Sequence, residues 1–264
     1  MLTLSEIFIY PIKSLGGISL QTTEVERRGL KYDRRYLLVD ENGMFMTQRD
    51  FPQMAFLKLS FAENGFSVFN IKNNSAMVIP FSSTSKETIK VKIWKDVCNA
   101  VAVDKNLDVW FSNAISKKCS LVYMPDNEKR IVEREYIDED HIVSFADAYP
   151  FLIIGQASLD DLNSKLTAPI PMNRFRPSFV FSQGNPYEED NWKKFKIGTV
   201  EFEAVKPCAR CVITTTDQQT AVRNDEPLKT LSTYRKINNK VLFGMNLVCH
   251  KTGTVSINEN ILLS

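Results

Sequence analysis

The chain has almost no excess charge, no long apolar run, and cysteines too few and too irregularly spaced for a disulfide framework. Its 33 basic and 31 acidic residues leave a formal charge of +2 over 264 residues. No basic excess therefore exists to drive nucleic-acid binding. The amino terminus, residues 1–10, carries Glu6 within a short alternating segment, which fits neither a signal peptide nor a membrane span. The five cysteines, Cys98, Cys119, Cys208, Cys211 and Cys249, are odd in number and scattered. That pattern points to a reducing, cytoplasmic setting rather than a secreted scaffold. Also missing are a Gly-x-Gly-x-x-Gly turn to hold NADH or a flavin and the Cys-x4-Cys-x2-Cys spacing of a [2Fe–2S] domain. There is no repeat and no low-complexity tract. With 44% hydrophobic residues, the chain is an ordinary globular one, able to bury a substantial core in one large or two small domains.

The most informative stretch is Val205-Lys206-Pro207-Cys208-Ala209-Arg210-Cys211-Val212-Ile213-Thr214-Thr215-Thr216-Asp217. Two thiols flank an arginine, and a guanidinium beside a thiol favours the thiolate. The β-branched run 212–216 opens a helix poorly and reads as a strand. A dithiol oxidoreductase, whose pair starts a helix, then loses its main physical support. A zinc half-site is a second reading, with Cys249 and His250 as the other half. Adjacent strand residues point to opposite faces, so those two can hardly ligate together. Two small, buried, inert thiols are the third reading. Spacing alone leaves the choice open.

Elsewhere short strands recur. Residues 2–4 and 7–10 form one, stopped by Pro11, followed by the loop Pro11-Ile12-Lys13-Ser14-Leu15-Gly16-Gly17. A lysine-serine pair at a glycine loop can hold a phosphate, or can be a solvated turn. Further strands are expected at 18–25, within 32–39 as a hairpin closed at Asp40–Gly43, and at 44–48, 54–61, 66–71, 76–80, 91–94, 100–103 and 120–124. Leu107, Trp110, Phe111, Ala114 and Ile115 keep helical spacing behind Asp104 as N-cap. Residues 126–140 are rich in both charges and read as a connector, its acidic run 138–140 as solvated charge or a hard-cation site. Beyond it come a strand at 151–154, a capped helix at 158–162, a strand within 192–205, a helix at 226–236 and strands at 242–247 and 255–263. Such regular short strands argue for barrels or sandwiches.

Lys-Pro-Cys-Ala-Arg-Cys-Val-Ile-Thr-Thr-Thr-Asp-Gln-Gln-Thr resembles the signature of the MOSC domain, the molybdenum-cofactor sulfurase C-terminal domain. Tyr-Pro-Ile-Lys-Ser-Leu-Gly-Gly and Gly-Leu-x-x-Asp-Arg-x-Tyr-Leu-Leu-Val resemble the MOSC N-terminal domain. Arg174-Phe175-Arg176-Pro177-Ser178 matches a family pattern except that serine replaces asparagine, and Ala221 stands where the family often has glycine. The resemblance extends over nearly the whole chain and looks like the amidoxime-reducing component and its bacterial relatives. It implies a mainly β or α+β fold of two β-rich, barrel-like domains with a few short helices. They would be a MOSC N-terminal domain at 1–125 and a MOSC domain at 126–264, the charged connector occupying about 126–140.

It further implies a molybdenum cofactor (Mo-molybdopterin) with Cys211 as catalytic residue and molybdenum ligand. Lys13, Ser14, Arg34, Arg176, Ser178, Arg210 and Asn246 would bind the cofactor. At the level of the wider family, pyridoxal phosphate binding is also implied. The implied activity is two-electron reduction of N-hydroxylated small molecules such as amidoximes, hydroxylamines and hydroxylated nucleobases. Electrons would come from a separate ferredoxin- or flavoprotein-like donor, and no nucleic-acid or membrane partner is implied. The same cysteine suits two alternatives, a sulfur carrier with a persulfide on Cys211 and a non-catalytic cofactor-binding protein.

Overall fold

The computed structural model describes residues 1–137 and 139–264. Asp138, the first member of the acidic run, lies outside the described residues. Along the first half follow β1 (Thr3–Ile9), β2 (Ile18–Leu20), β3 (Thr22–Glu26), β4 (Gly29–Leu30), β5 (Tyr36–Val39), β6 (Leu57–Ala62), β7 (Gly65–Asn70), β8 (Ser75–Pro80), β9 (Thr88–Ile93), β10 (Asp96–Ala102), α1 (Lys105–Ile115) and β11 (Ser120–Tyr123). The rest comprises β12 (Arg130–Ile131), β13 (Ile142–Val143), β14 (Phe151–Gly155), α2 (Gln156–Asn163), β15 (Phe179–Ser182), β16 (Lys194–Ile197), β17 (Val200–Ala209), α3 (Leu228–Ser232), β18 (Lys236–Ile237), β19 (Lys240–Lys251), β20 (Gly253–Ser256) and β21 (Ile261–Leu263). The fold is mainly β, with several curled sheets and short helices, as the sequence pattern leads one to expect.

The largest sheet has the order β2-β1-β15-β14-β19-β17-β16-β21, with β18 beside β19. Its pairings are antiparallel except β14 with β15. Smaller sheets are β5-β11-β10-β9, β6-β7-β8 and β20-β3-β4. The halves interlock: β1 pairs with β15, and β3 with β20. One apolar cluster accordingly joins Leu4, Tyr36 and Phe66 to Phe151, Phe179 and Phe202. Phe151, Phe179, Phe195 and Phe202 are fully buried and pack ring against ring. Each such ring contributes roughly 1.5–3 kcal/mol over leaving it in water.

Several local expectations change. The stretch 18–25 breaks at Gln21 into β2 and β3, which serve different sheets. Residues 44–48 join the β5 sheet only through isolated bridges, and Pro52–Phe56 is a 3-10 turn, where the proline presets φ. The β-branched run after Cys211 is not a strand but a 3-10 turn, Val212–Thr215. Thr214 Oγ1 donates to the Cys211 carbonyl at 3.0 Å and Thr215 Oγ1 to that of Val212 at 2.8 Å. These local bonds give the backbone an alternative to a ladder.

The helix read at 158–162 starts earlier, at Gln156, with Gly155 as N-cap. Its cap is supplied from afar by Glu189, which accepts from Gly155 N at 3.2 Å and from Ser158 Oγ at 3.1 Å. The helix expected at 226–236 shrinks to α3, because the chain behind it is drawn into β18 against β19. The expected closing strand divides into β20 and β21. The charged connector is not simply solvated. Arg130 is buried, holds Asp96 at 2.8 Å, and donates to the carbonyls of Ser144 at 3.0 Å and Asp147 at 2.9 Å.

Candidate functional site

Lys13, Ser14, Arg34, Arg176, Ser178, Arg210, Cys211 and Asn246, drawn from five separate stretches of sequence, all line one cleft of about 400 Å³. Backbone geometry brings them there. The loop after β1 carries Lys13 and Ser14, with Ser14 at φ 68°. Its backbone is held by Lys13 N donating to Tyr36 O at 2.9 Å and by Gln48 Nε2 donating to Ser14 O at 2.7 Å. Arg34 and Arg176 also sit in the left-handed region, at φ 48° and 56°. Non-glycine residues there carry strain that persists at functional sites.

Strand β17 shifts register between Ala204 and Lys206 and again between Pro207 and Ala209. Proline fits a sheet at such a bulge, and bulges re-aim side chains. Opposite it, Gly244 of β19 has φ +79°, and a Cβ there would meet Ile154 Cγ1 at 2.7 Å. This explains the glycine of the Phe-Gly-x-Asn segment that carries Asn246. The Asn246 Nδ2 donates to Lys206 O at 3.2 Å, and the Ser178 hydroxyl accepts from Leu152 N at 3.3 Å.

Among the described residues, six basic side chains line the cleft (Lys13, Arg34, Arg49, Arg176, Lys206 and Arg210) against one carboxylate, Asp147. In a chain of net charge +2, that is a strong local concentration of positive field. Arg34 and Arg176 lie 4.1 and 4.2 Å from the Tyr10 ring centroid. Arg34 is paired with Asp33 at 2.6 Å. Burial lowers the Arg176 pKa to about 10, with Arg34 pushing the same way. Arg210 donates to Phe175 O at 2.6 Å and to the Cys208 sulfur at 3.0 Å.

Arg49 stands beside Cys211: burial works against its charge, but Asp147 and the Cys211 sulfur raise its pKa. Lys13 Nζ donates to Asp147 at 2.6 Å and to Phe145 O at 2.8 Å. Burial lowers its pKa to about 8 despite Asp147. Desolvation works to raise the Asp147 carboxyl, but Lys13 and Arg49 hold it well below the usual carboxylate range.

Arg174, two residues before Arg176, does not line the cleft. It pairs with Asp217 at 2.9 Å and donates to Thr214 O at 3.3 Å, bracing the turn behind Cys211. Arg49, Trp94 and Asp147 carry no motif that marks them as site residues, and Lys206 lies inside the cysteine motif without being singled out by it. Arg49 reaches the cleft because Arg223 Nη2 donates to Gln48 O at 2.7 Å and to Arg49 O at 3.1 Å. All five cysteines are free. Burial pushes Cys98, Cys119 and Cys249 up to about 11, which leaves them inert, whereas Cys208 and Cys211 are only half-buried.

The residues fit an anionic group bearing a soft metal. Among the described residues, Arg49 Nη1, Arg176 Nη2 and Arg210 Nε are buried nitrogens without a hydrogen-bond partner. Such orphaned donors cost about 1–3 kcal/mol each, a cost that a bound anion would relieve. The nearby thiol is a suitable ligand for a soft metal.

A two-part protein with an arginine-lined, cysteine-bearing cleft between interlocked β-sheets is the class that emerges. The chain belongs to the MOSC family: residues 1–118 match the MOSC N-terminal beta barrel domain and residues 140–262 the MOSC domain. It is 32% identical to mitochondrial amidoxime-reducing component 1 of Danio rerio, over 97% of this chain and 82% of that one. It is 30% identical to mitochondrial amidoxime reducing component 2 of Bos taurus, over 97% of this chain and 82% of that one. Similarity to the molybdenum cofactor sulfurase of Oryza sativa subsp. japonica is 31% over 92% of this chain, which spans only 32% of that relative. Among solved structures, the YUAD protein from Bacillus subtilis matches with a TM-score of 0.47 and 10% identity, over 99% of this chain and 94% of that one. No helix among the described residues is long and apolar enough to cross a membrane.

Proposed function

We propose that the protein is a molybdenum-cofactor-dependent reductase of N-hydroxylated small molecules, working with a separate electron-donor protein. The observation that carries this reading is the set of six basic side chains that, among the described residues, line one cleft with Cys211 against a single carboxylate. Cys211 would ligate the metal. Arg34, Arg176 and Arg210, with Lys13 and Ser14 beside them, would hold the pterin phosphate, and Ser178 and Asn246 would line its bed. When bound, the cofactor supplies two-electron chemistry that removes oxygen from an N–O bond.

Arg49 keeps positive charge beside the Cys211 sulfur. Asp147 remains ionised and orients Lys13 and Arg49 instead of giving up a proton. Lys13, with its pKa near 8, can release a proton close to neutral pH, as reduction of an N–O bond requires. The two relatives named for amidoxime reduction support the substrate class.

A second reading keeps Cys211 as the carrier of a persulfide without a metal, and the rice sulfurase match favours it. Protein produced in a host that makes molybdopterin separates the two. About one molybdenum per chain is expected, for one thiolate site. Activity toward a hydroxylamine should appear with reduced viologen as donor and not with NADH alone. Cys211→Ser should abolish it, and Cys208→Ser should leave most of it. Zinc or no metal in such material, or equal loss in the two variants, overturns the proposal.

A further inference from the structure

The chain contains two histidines, and the fold brings both to one place outside the arginine-lined cleft. His141 stands just before β13 and His250 near the end of β19, their ring centroids 5.2 Å apart at an interplanar angle of 88°. Glu139 reaches both. Its Oε2 lies 3.8 Å from His141 Nε2 and 3.6 Å from His250 Nδ1, and one ligand atom from each of the three residues lies within 4.8 Å of the others. These separations exceed hydrogen-bond length. They are close to the spacing of about 3.3 Å that neighbouring ligand atoms take around a tetrahedral zinc with bonds of ~2.0–2.1 Å.

His250 Nε2 lies 2.7 Å from Glu203 Oε2, so Glu203 fixes the ring with its Nδ1 toward the Glu139 carboxylate at 3.6 Å. His141 is 7% exposed, and its Nε2 is sealed from solvent with no hydrogen-bond partner among the described residues. Glu203 stands where metal-bound histidines keep an outer carboxylate, on the ring nitrogen away from the metal. Two imidazoles and one carboxylate suit zinc-type transition ions, whereas magnesium and calcium prefer oxygen alone.

We propose that His141, His250 and Glu139 form a binding site for a zinc-type divalent ion, with Glu203 orienting His250. Three protein ligands leave the fourth position to water. The ion ties the ribbon β12–β13 to β19. That ribbon carries Arg130, which shapes the 144–147 loop of the cleft. The site is distinct from the Cys208–Cys211 pair.

The test is calorimetric titration of metal-free, cofactor-free full-length protein with zinc chloride at neutral pH. One zinc per chain is expected, with a rise in melting temperature. Cobalt(II) substituted for zinc should give the visible absorption of a tetrahedral site without a thiolate charge-transfer band. Glu139→Gln and His250→Gln should each weaken binding about tenfold or more, and Glu203→Gln by about 10–100-fold. Glu139 is exposed, so Glu139→Gln tests the ligand set with the fold intact even if a histidine variant misfolds. A Cys208→Ser/Cys211→Ser protein should bind zinc unchanged. Absence of binding, binding that survives Glu139→Gln and His250→Gln, or loss in the cysteine variant overturns the site.

Discussion

Lys13 is the residue at which burial and charge compete most directly. Its ammonium is inside the protein, its pKa is lowered to about 8 by burial, and Asp147 keeps it from falling further. A base with a lowered pKa is charged below that value and neutral above it. An anionic group held in this cleft should therefore be lost faster as pH rises through and above about 8. Dialysis of the molybdenum-loaded protein at neutral and alkaline pH, followed by metal analysis, measures this. Lys13→Arg should flatten the dependence, because arginine stays charged throughout. Equal retention by the natural protein at both pH values would remove Lys13 from the anion's surroundings. Arg49 teaches a related lesson: it is one of 33 basic residues with nothing in its neighbours to single it out, yet it supplies the charge beside Cys211.

At the scale of elements, caps and turns explain where sequence reading succeeds. Asp104 caps α1 as expected, its carboxylate accepting from Asn106 N at 2.7 Å and Leu107 N at 3.3 Å. Local side-chain chemistry decides such a feature, so the pattern is legible. The turn after the cysteine motif is legible in a different way. Ala221 takes φ 57°, in the left-handed region that favours glycine. A Cβ there is strained, so Ala221→Gly should stabilise the protein by about 0.5–1 kcal/mol. For a chain of this size that is a rise of roughly 2–4 °C in melting temperature per kcal/mol. Thermal unfolding of the cofactor-free protein checks it. A fall in stability would mean that the entropy glycine gains in the unfolded chain outweighs the relieved strain.

At the scale of the whole molecule, the division near residue 126 does not separate independent folding units in our reading. Strand β1 hydrogen-bonds to β15 and β3 to β20, and the main apolar cluster draws on both halves. Removing either half would expose paired strand edges and large aromatic faces at once. Residues 1–125 and 126–264 expressed separately should be insoluble or unfolded, and the full chain should melt in one cooperative transition. Two resolved transitions, or a soluble half with native circular dichroism, would count against this.

By itself the sequence determined the β-rich class, the capped helix α1 and most of the short strands, because these follow from alternation, turn residues and caps within a few positions of each residue. Its motifs also named eight residues that the fold gathers around one cleft. Tertiary structure alone decided that Arg49 stands beside Cys211 and that Arg174 braces Asp217. It also decided that the chain's two histidines meet. Each of these depends on contacts between residues far apart in the chain, where side-chain reach and strand register, not local propensity, select the partner.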